Sequence, residues 1–224
     1  MKPNNIKQIF MKLFSKQLRR PYGLFAKRVG NKMNEINSLL YDFTIKTMHI
    51  ADNDNILEIG FGNGKFFDRF FPKANNITIS GLDFSPAMIK EANYNNRKLI
   101  DSGKLVLKLG NSDKIPFADQ SFNKIFCINV IYFWQNPEEH LKEIFRVLKP
   151  DGKFFVSVRT KESMIKLPFT KYGFTLYNQD EIRQLLEANH FKIMQIEKSN
   201  EPDQEIDGQY YKVESLCIAS IPRQ

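Results

Sequence analysis

A chain of 224 residues with 42% hydrophobic content is enough for one domain with a small appendage. Its apolar runs all fall short of the roughly 18 residues that a membrane span needs, and its two cysteines and three histidines show neither a disulfide framework nor metal-ligand spacing. The net charge of +8 is lopsided: residues 1–50 hold ten Lys/Arg against Glu35 and Asp42, so this stretch carries the whole excess and the remainder is balanced. Cys127 and Cys217 sit in apolar runs, which suits reduced, buried thiols and a cytoplasmic setting.

Residues 1–20 place Ile6, Ile9, Phe10, Leu13, Phe14 and Leu18 at helical spacing. Lys2, Lys7, Lys12, Lys16, Arg19 and Arg20 lie among them, with no acid. The pattern predicts a basic amphipathic helix. Its first reading is a helix docked on the domain with solvated lysines. Weak contact with a membrane surface or with a polyanion are the other readings. Pro21-Tyr22-Gly23 ends it. A second helix is expected over about 24–50, with Met33, Ile36, Leu39, Leu40, Phe43 and Met48 as its buried face.

Ile56-Leu57-Glu58-Ile59-Gly60-Phe61-Gly62-Asn63-Gly64 then reads as a short buried strand and a glycine turn. Such a turn lets the backbone approach a ligand. Phe66, Phe67 and Phe70 predict a crossover helix that Phe71-Pro72 ends. Further strands are expected at 77–82, 104–109, 124–130 and 153–158. Helices opened by Ser85-Pro86 and Pro137 lie between them. Residues 160–177 read as an aromatic loop, and Asn178 caps a helix to about Asn189. Strands at 191–198 and 210–220 close the chain, around an acidic loop with Glu201, Asp203, Glu205 and Asp207. Alternating strands and helices imply an α/β domain with a mostly parallel sheet. An arm over residues 1–50 and a domain over 51–224 are the expected divisions.

Asp83 lies 19 residues after Gly64, at the end of the second strand, where a carboxylate accepts hydrogen bonds from ribose hydroxyls. That fits either NAD or S-adenosylmethionine. Glu58 favours the second, since a carboxylate there repels a pyrophosphate and suits an ammonium and a sulfonium.

These motifs resemble the class I S-adenosylmethionine-dependent methyltransferases of the small-molecule kind, methyltransferase type 11. The resemblance runs from about Ile56 to Val156. It rests on 56–64, on Gly81-Leu82-Asp83-Phe84-Ser85-Pro86-Ala87-Met88, on Gly110-Asn111-Ser112-Asp113 with Ile115-Pro116-Phe117, and on Phe145-Arg146-Val147-Leu148-Lys149-Pro150-Asp151-Gly152. It implies a Rossmann-like doubly wound, mostly parallel seven-stranded sheet with an antiparallel last strand. It implies S-adenosyl-L-methionine as cofactor. Gly60, Phe61 and Gly62 would hold the methionine end, with Glu58 shaping that loop. Asp83 would bind the ribose, Phe84 and Met88 would line the adenine slot, Asn111 and Ser112 would meet the adenine edge, and Asn129 would face the reacting centre. Two departures stand out: Asn111 and Asn123, where the family commonly has Asp.

No catalytic base is identified. His140, inside Glu138-Glu139-His140, reads as a surface helix residue. An acceptor pocket is expected from Tyr22, from Tyr132 and Phe133 with Trp134, and from Phe169 and Tyr172 in the aromatic loop. This points to in-line methyl transfer to a small, apolar or aromatic acceptor, with nucleic acid disfavoured. The alternatives are an RNA or protein methyltransferase docked through the basic arm, a non-catalytic S-adenosylmethionine-binding protein, and a nicotinamide-dependent reductase. The acidic loop is a solvated hairpin or a lid paired with the arm. Oligomeric state is open.

Overall fold

The computed structural model describes residues 3–206 and 208–223, and the side chains of Pro3, Asn4, Asn5 and Ile206 are not among those described. Lys2 and Asp207, singled out above, lie outside the described residues. Two helices come first: α1 (Pro3–Arg19) and α2 (Ala26–Met48), joined through a 3₁₀ turn at Gly23–Phe25. Seven strands follow: β1 (Asn55–Ile59), β2 (Thr78–Asp83), β3 (Leu105–Leu109), β4 (Phe122–Ile128), β5 (Leu148–Arg159), β6 (Phe191–Ile206) and β7 (Gln209–Pro222). Between them lie α3 (Pro86–Asn95), α4 (Arg97–Asp101), α5 (Pro137–Val147), α6 (Lys161–Met164) and α7 (Gln179–Ala188).

The sheet has the order β3-β2-β1-β4-β5-β7-β6. β1 to β5 pair in parallel, and β7 runs antiparallel to both β5 and β6. Side chains alternate across each strand, so the two faces build two cores. Leu57, Ile59, Ile125, Phe154 and Val156 share one core with Leu141 and Ile144 of α5 and Ile182 and Leu186 of α7. Ile56, Ile79, Phe126 and Phe155 share the other with Leu40, Tyr41, Ile45 and Met48 of α2. Glu58 has the parity of Ile56, and therefore faces α2.

Four expectations need correction. The expected crossover helix after β1 is a single 3₁₀ turn, Phe67–Arg69, although Phe66, Phe67 and Phe70 are buried. Only seven residues separate Gly64 from Pro72, and the residue before a proline is pushed out of the α region. On α2, Ile36 and Leu39 are exposed while Tyr41, Thr44 and Ile45 are buried; the helix turns its 41/44/45/48 stripe to the sheet. The 160–177 segment is not a plain loop, since it carries α6 and a 3₁₀ turn at Pro168–Lys171. The acidic 200–206 stretch is strand: β6 and β7 form one long hairpin, with a register shift between Glu201 and Gln204. Among the described residues no helix is long and apolar enough to cross a membrane.

Candidate functional site

The glycine turn leaves β1 beside the end of β2. Gly60 N–H donates to Leu82 O at 2.7 Å. Gly60 has φ +76°, and a Cβ there would lie 2.4 Å from Cγ2 of Val130, so this residue lets the turn close onto the end of β4. Gly62 also has positive φ, but its missing Cβ would meet nothing within 4 Å.

Asp83 stands directly under this turn. Its Oδ2 accepts from Gly62 N–H at 2.9 Å and its Oδ1 from Ser85 N–H at 2.8 Å. Burial pushes its carboxyl up to about 6, against the pull of those two amides and of the Arg20 charge. Each oxygen keeps a lone pair for another donor. Ser85 caps α3, and its hydroxyl donates to Pro21 O at 2.7 Å, tethering the arm to the carboxylate loop.

Glu58 is equally buried but lies behind Tyr41, whose hydroxyl donates to it. Burial pushes this carboxyl up to about 8, with the nearby Asp83 charge adding to the effect and the Tyr41 bond opposing it. From the sequence, Glu58 is expected to face the ligand as an anion; in the structure burial favours its neutral form, and Tyr41, from the arm, stands in the cavity wall instead.

Asn129, just past β4, takes a left-handed conformation with φ +57°, which asparagine tolerates. Its Nδ2 donates to Asn37 Oδ1 at 3.2 Å and its Oδ1 accepts from Arg159 N–H at 3.3 Å. Arg159 is clamped in turn. Its guanidinium donates to Asn37 Oδ1 at 3.1 Å and Ile36 O at 2.7 Å, and pairs with Glu201 at 2.7 Å. The acidic stretch thus binds β5 through Glu201, rather than pairing with the basic arm.

On the far side, Asn111 bonds Asp113 at 2.7 Å and Ser112 lies buried. Ser112 Oγ and His140 Nδ1 are hydrogen-bonded at 2.8 Å. The His140 ring lies parallel to Trp134, with centroids 4.8 Å apart and planes within 7°. His140 is therefore no surface residue, and burial lowers its pKa so that the ring is neutral.

These groups enclose one cavity of ≈ 240 Å³. Gly60, Phe61, Gly62, Asp83, Phe84, Met88, Asn111, Ser112, Asn129 and Phe133 line it, as do Trp134 and His140. Leu18, Arg19, Pro21, Met33, Asn37 and Tyr41 close it from the arm. Two buried wall atoms have no partner among the described residues, Asn63 Oδ1 and Trp134 Nε1. The guanidinium of Arg20 lies over the Phe84 ring at 5.3 Å.

Five expected site residues do not line the cavity. Glu58 is screened by Tyr41. Tyr132 is core: it is fully buried, its hydroxyl donates to Arg159 O, and its ring meets Phe174. Phe169 packs edge-on against Phe14 of α1 at 5.4 Å, and Tyr172 O accepts from Ser15 Oγ. These contacts hold the arm rather than a ligand. Tyr22 is half exposed, its N–H donating to Gln17. The sequence reading missed Tyr41, Asn37 and His140. Only their helical periodicity relative to buried neighbours carried any signal.

Residues 57–156 match the model of a methyltransferase domain. YrhH of Bacillus subtilis (strain 168) is 30% identical over 133 residues, 59% of this chain and 73% of that protein. The ubiquinone/menaquinone biosynthesis C-methyltransferase UbiE of Geotalea daltonii is 29% identical over 51% of this chain and 49% of its own length. Among solved structures, a SAM-dependent methyltransferase from Aquifex aeolicus superposes with a TM-score of 0.68 at 18% identity, over 86% of this chain and 96% of that one, a likeness of fold. With the sheet order, the glycine turn over Asp83 and these matches in hand, the chain belongs to the class I S-adenosylmethionine-dependent methyltransferases.

Proposed function

We propose that the chain moves a methyl group from S-adenosylmethionine to a small apolar or aromatic acceptor held in the cavity described above. One observation carries the reading: a buried carboxylate, Asp83, and an unobstructed glycine, Gly62, share a single cavity with the apolar side chains of Phe84 and Met88. The cofactor fits the donors and acceptors present. Asp83 has spare lone pairs for a ribose diol. Gly62 leaves space where any side chain would intrude. Asn63 Oδ1 and Trp134 Nε1–H offer an unused acceptor and donor.

When bound, the cofactor supplies an activated methyl on a sulfonium. The chain's own residues then position and exclude water. Phe84 and Met88 form an apolar slot, with Asn111 and Ser112 at its edge. The neutral His140 ring, held by Ser112 and stacked on Trp134, gives a flat, uncharged wall. Leu18, Met33, Val130 and Phe133 give the remaining space an apolar part, beside Asn37 and Asn129, and that part favours an acceptor with an apolar or aromatic body. In this reading residues 1–50 are the lid and residues 51–224 the cofactor domain. The similarity to UbiE, a ubiquinone/menaquinone biosynthesis C-methyltransferase, supports a small-molecule acceptor.

Thermal stabilisation tests the cofactor. S-adenosylmethionine and its demethylated product should raise the melting temperature, and NAD and NADP should not. A shift with the nicotinamides alone would overturn the reading. Transfer of labelled methyl to small apolar acceptors, but not to RNA or protein, tests the acceptor class.

A further inference from the structure

We infer that α1 is a docking helix for an anionic membrane surface. Helical residues advance by about 100° each, and α1 sorts its side chains into three stripes on that wheel. Met11, Phe14, Ser15 and Leu18 face inward. Ser15 is buried, Phe14 meets Phe169, and Leu18 lines the cavity. Ile6, Ile9, Phe10 and Leu13 form a second apolar stripe with the same spacing, and each is 48–60% exposed. Lys12, Lys16 and Arg19 form a third, exposed beside it.

A helix that only packs on its own domain needs one apolar stripe. This one has two, and cations run along one side of the outer one. The turn after it leaves Leu24 and Phe25 exposed as well, Leu24 at 99%. No acid occurs before Glu35, against nine Lys/Arg. An apolar stripe bordered by lysines, with no acid nearby, is complementary to the headgroup and acyl boundary of an anionic bilayer. A second protein copy would bring the same cations against themselves. A nucleic acid would leave the apolar stripe without a role. The claim stands whichever acceptor the site takes.

The test is co-sedimentation of the full chain with vesicles of phosphatidylcholine alone or mixed with phosphatidylglycerol. Binding should need the anionic lipid and weaken with salt. Lys12→Gln with Lys16→Gln should weaken it about thirtyfold. Phe10→Ser with Leu13→Ser should weaken it by at least about tenfold. Both variants should bind S-adenosylmethionine as the parent does, which shows that they are folded. Three outcomes would overturn the inference: no binding to either vesicle, binding that the apolar variant leaves untouched, and a dimer abolished by that variant without any vesicle binding.

Discussion

The Tyr41 hydroxyl of α2 donates its hydrogen to the Glu58 carboxyl of β1, and both groups are buried away from water. This bond ties the arm to the central strand beneath the glycine turn. Burial, followed by the Glu58 charge, pushes the phenol well above its ordinary range, so it stays a donor. Tyr41→Phe leaves the Glu58 carboxyl with no hydrogen-bond partner among the described residues. The expected loss of stability is about 1–3 kcal/mol, read from urea denaturation.

The pH dependence of stability has a defined sign. Glu58 is held up to about 8 and Asp83 to about 6, whereas in the unfolded chain both titrate in the ordinary carboxylate range. Between those values the folded form keeps protons that the unfolded form has released. The two groups therefore stabilise the fold fully only below the ordinary carboxylate range, and that contribution is lost as pH rises toward 8. Glu58→Gln should flatten the fall in melting temperature between about pH 5 and about pH 8. An unchanged slope relative to the parent would contradict the placement of Glu58.

The two glycines of the turn should respond differently to alanine. At Gly60 the new methyl would overlap Val130, so Gly60→Ala should destabilise the apo protein strongly. At Gly62 there is room, and the cost is that of a left-handed alanine, about 1–2 kcal/mol. Gly62→Ala should instead act on S-adenosylmethionine affinity, measured by calorimetry, more than on the unfolding midpoint.

The ion pair of Arg159 with Glu201 is sealed, with both side chains 7% exposed. Arg159→Met leaves an uncompensated buried carboxylate and should cost about 3–5 kcal/mol. Adding Glu201→Gln should restore much of it, in a double-mutant cycle followed by chemical denaturation.

Much of this was legible in the chain itself. β1 and β4 announce themselves as short apolar runs, and Asp83 is found from its distance to the glycine turn. Tyr41, Asn37 and His140 were not, because each reaches the site from a helix whose rotation is set by packing on a sheet that the sequence does not display. Tyr132 failed for the converse reason: an aromatic next to Phe133 and Trp134 reads as a pocket residue, and only the fold turns it inward onto Arg159. The acidic stretch is hidden for another reason: its charge suits a loop, and the register shift between Glu201 and Gln204 breaks the two-residue alternation that marks a strand.

The missing helix after the glycine turn bears on what the site can refuse. Where an α-helix starts behind such a turn, its aligned peptide dipoles put partial positive charge on the loop and reward a pyrophosphate. Here Gly64 leads into a 3₁₀ turn of three residues, Phe67–Arg69. A single short turn sums almost no dipole, so an anionic diphosphate gains little from binding there, and a donor that carries its own positive charge loses nothing. Selectivity between nucleotide cofactors would then come in part from a field that this fold omits.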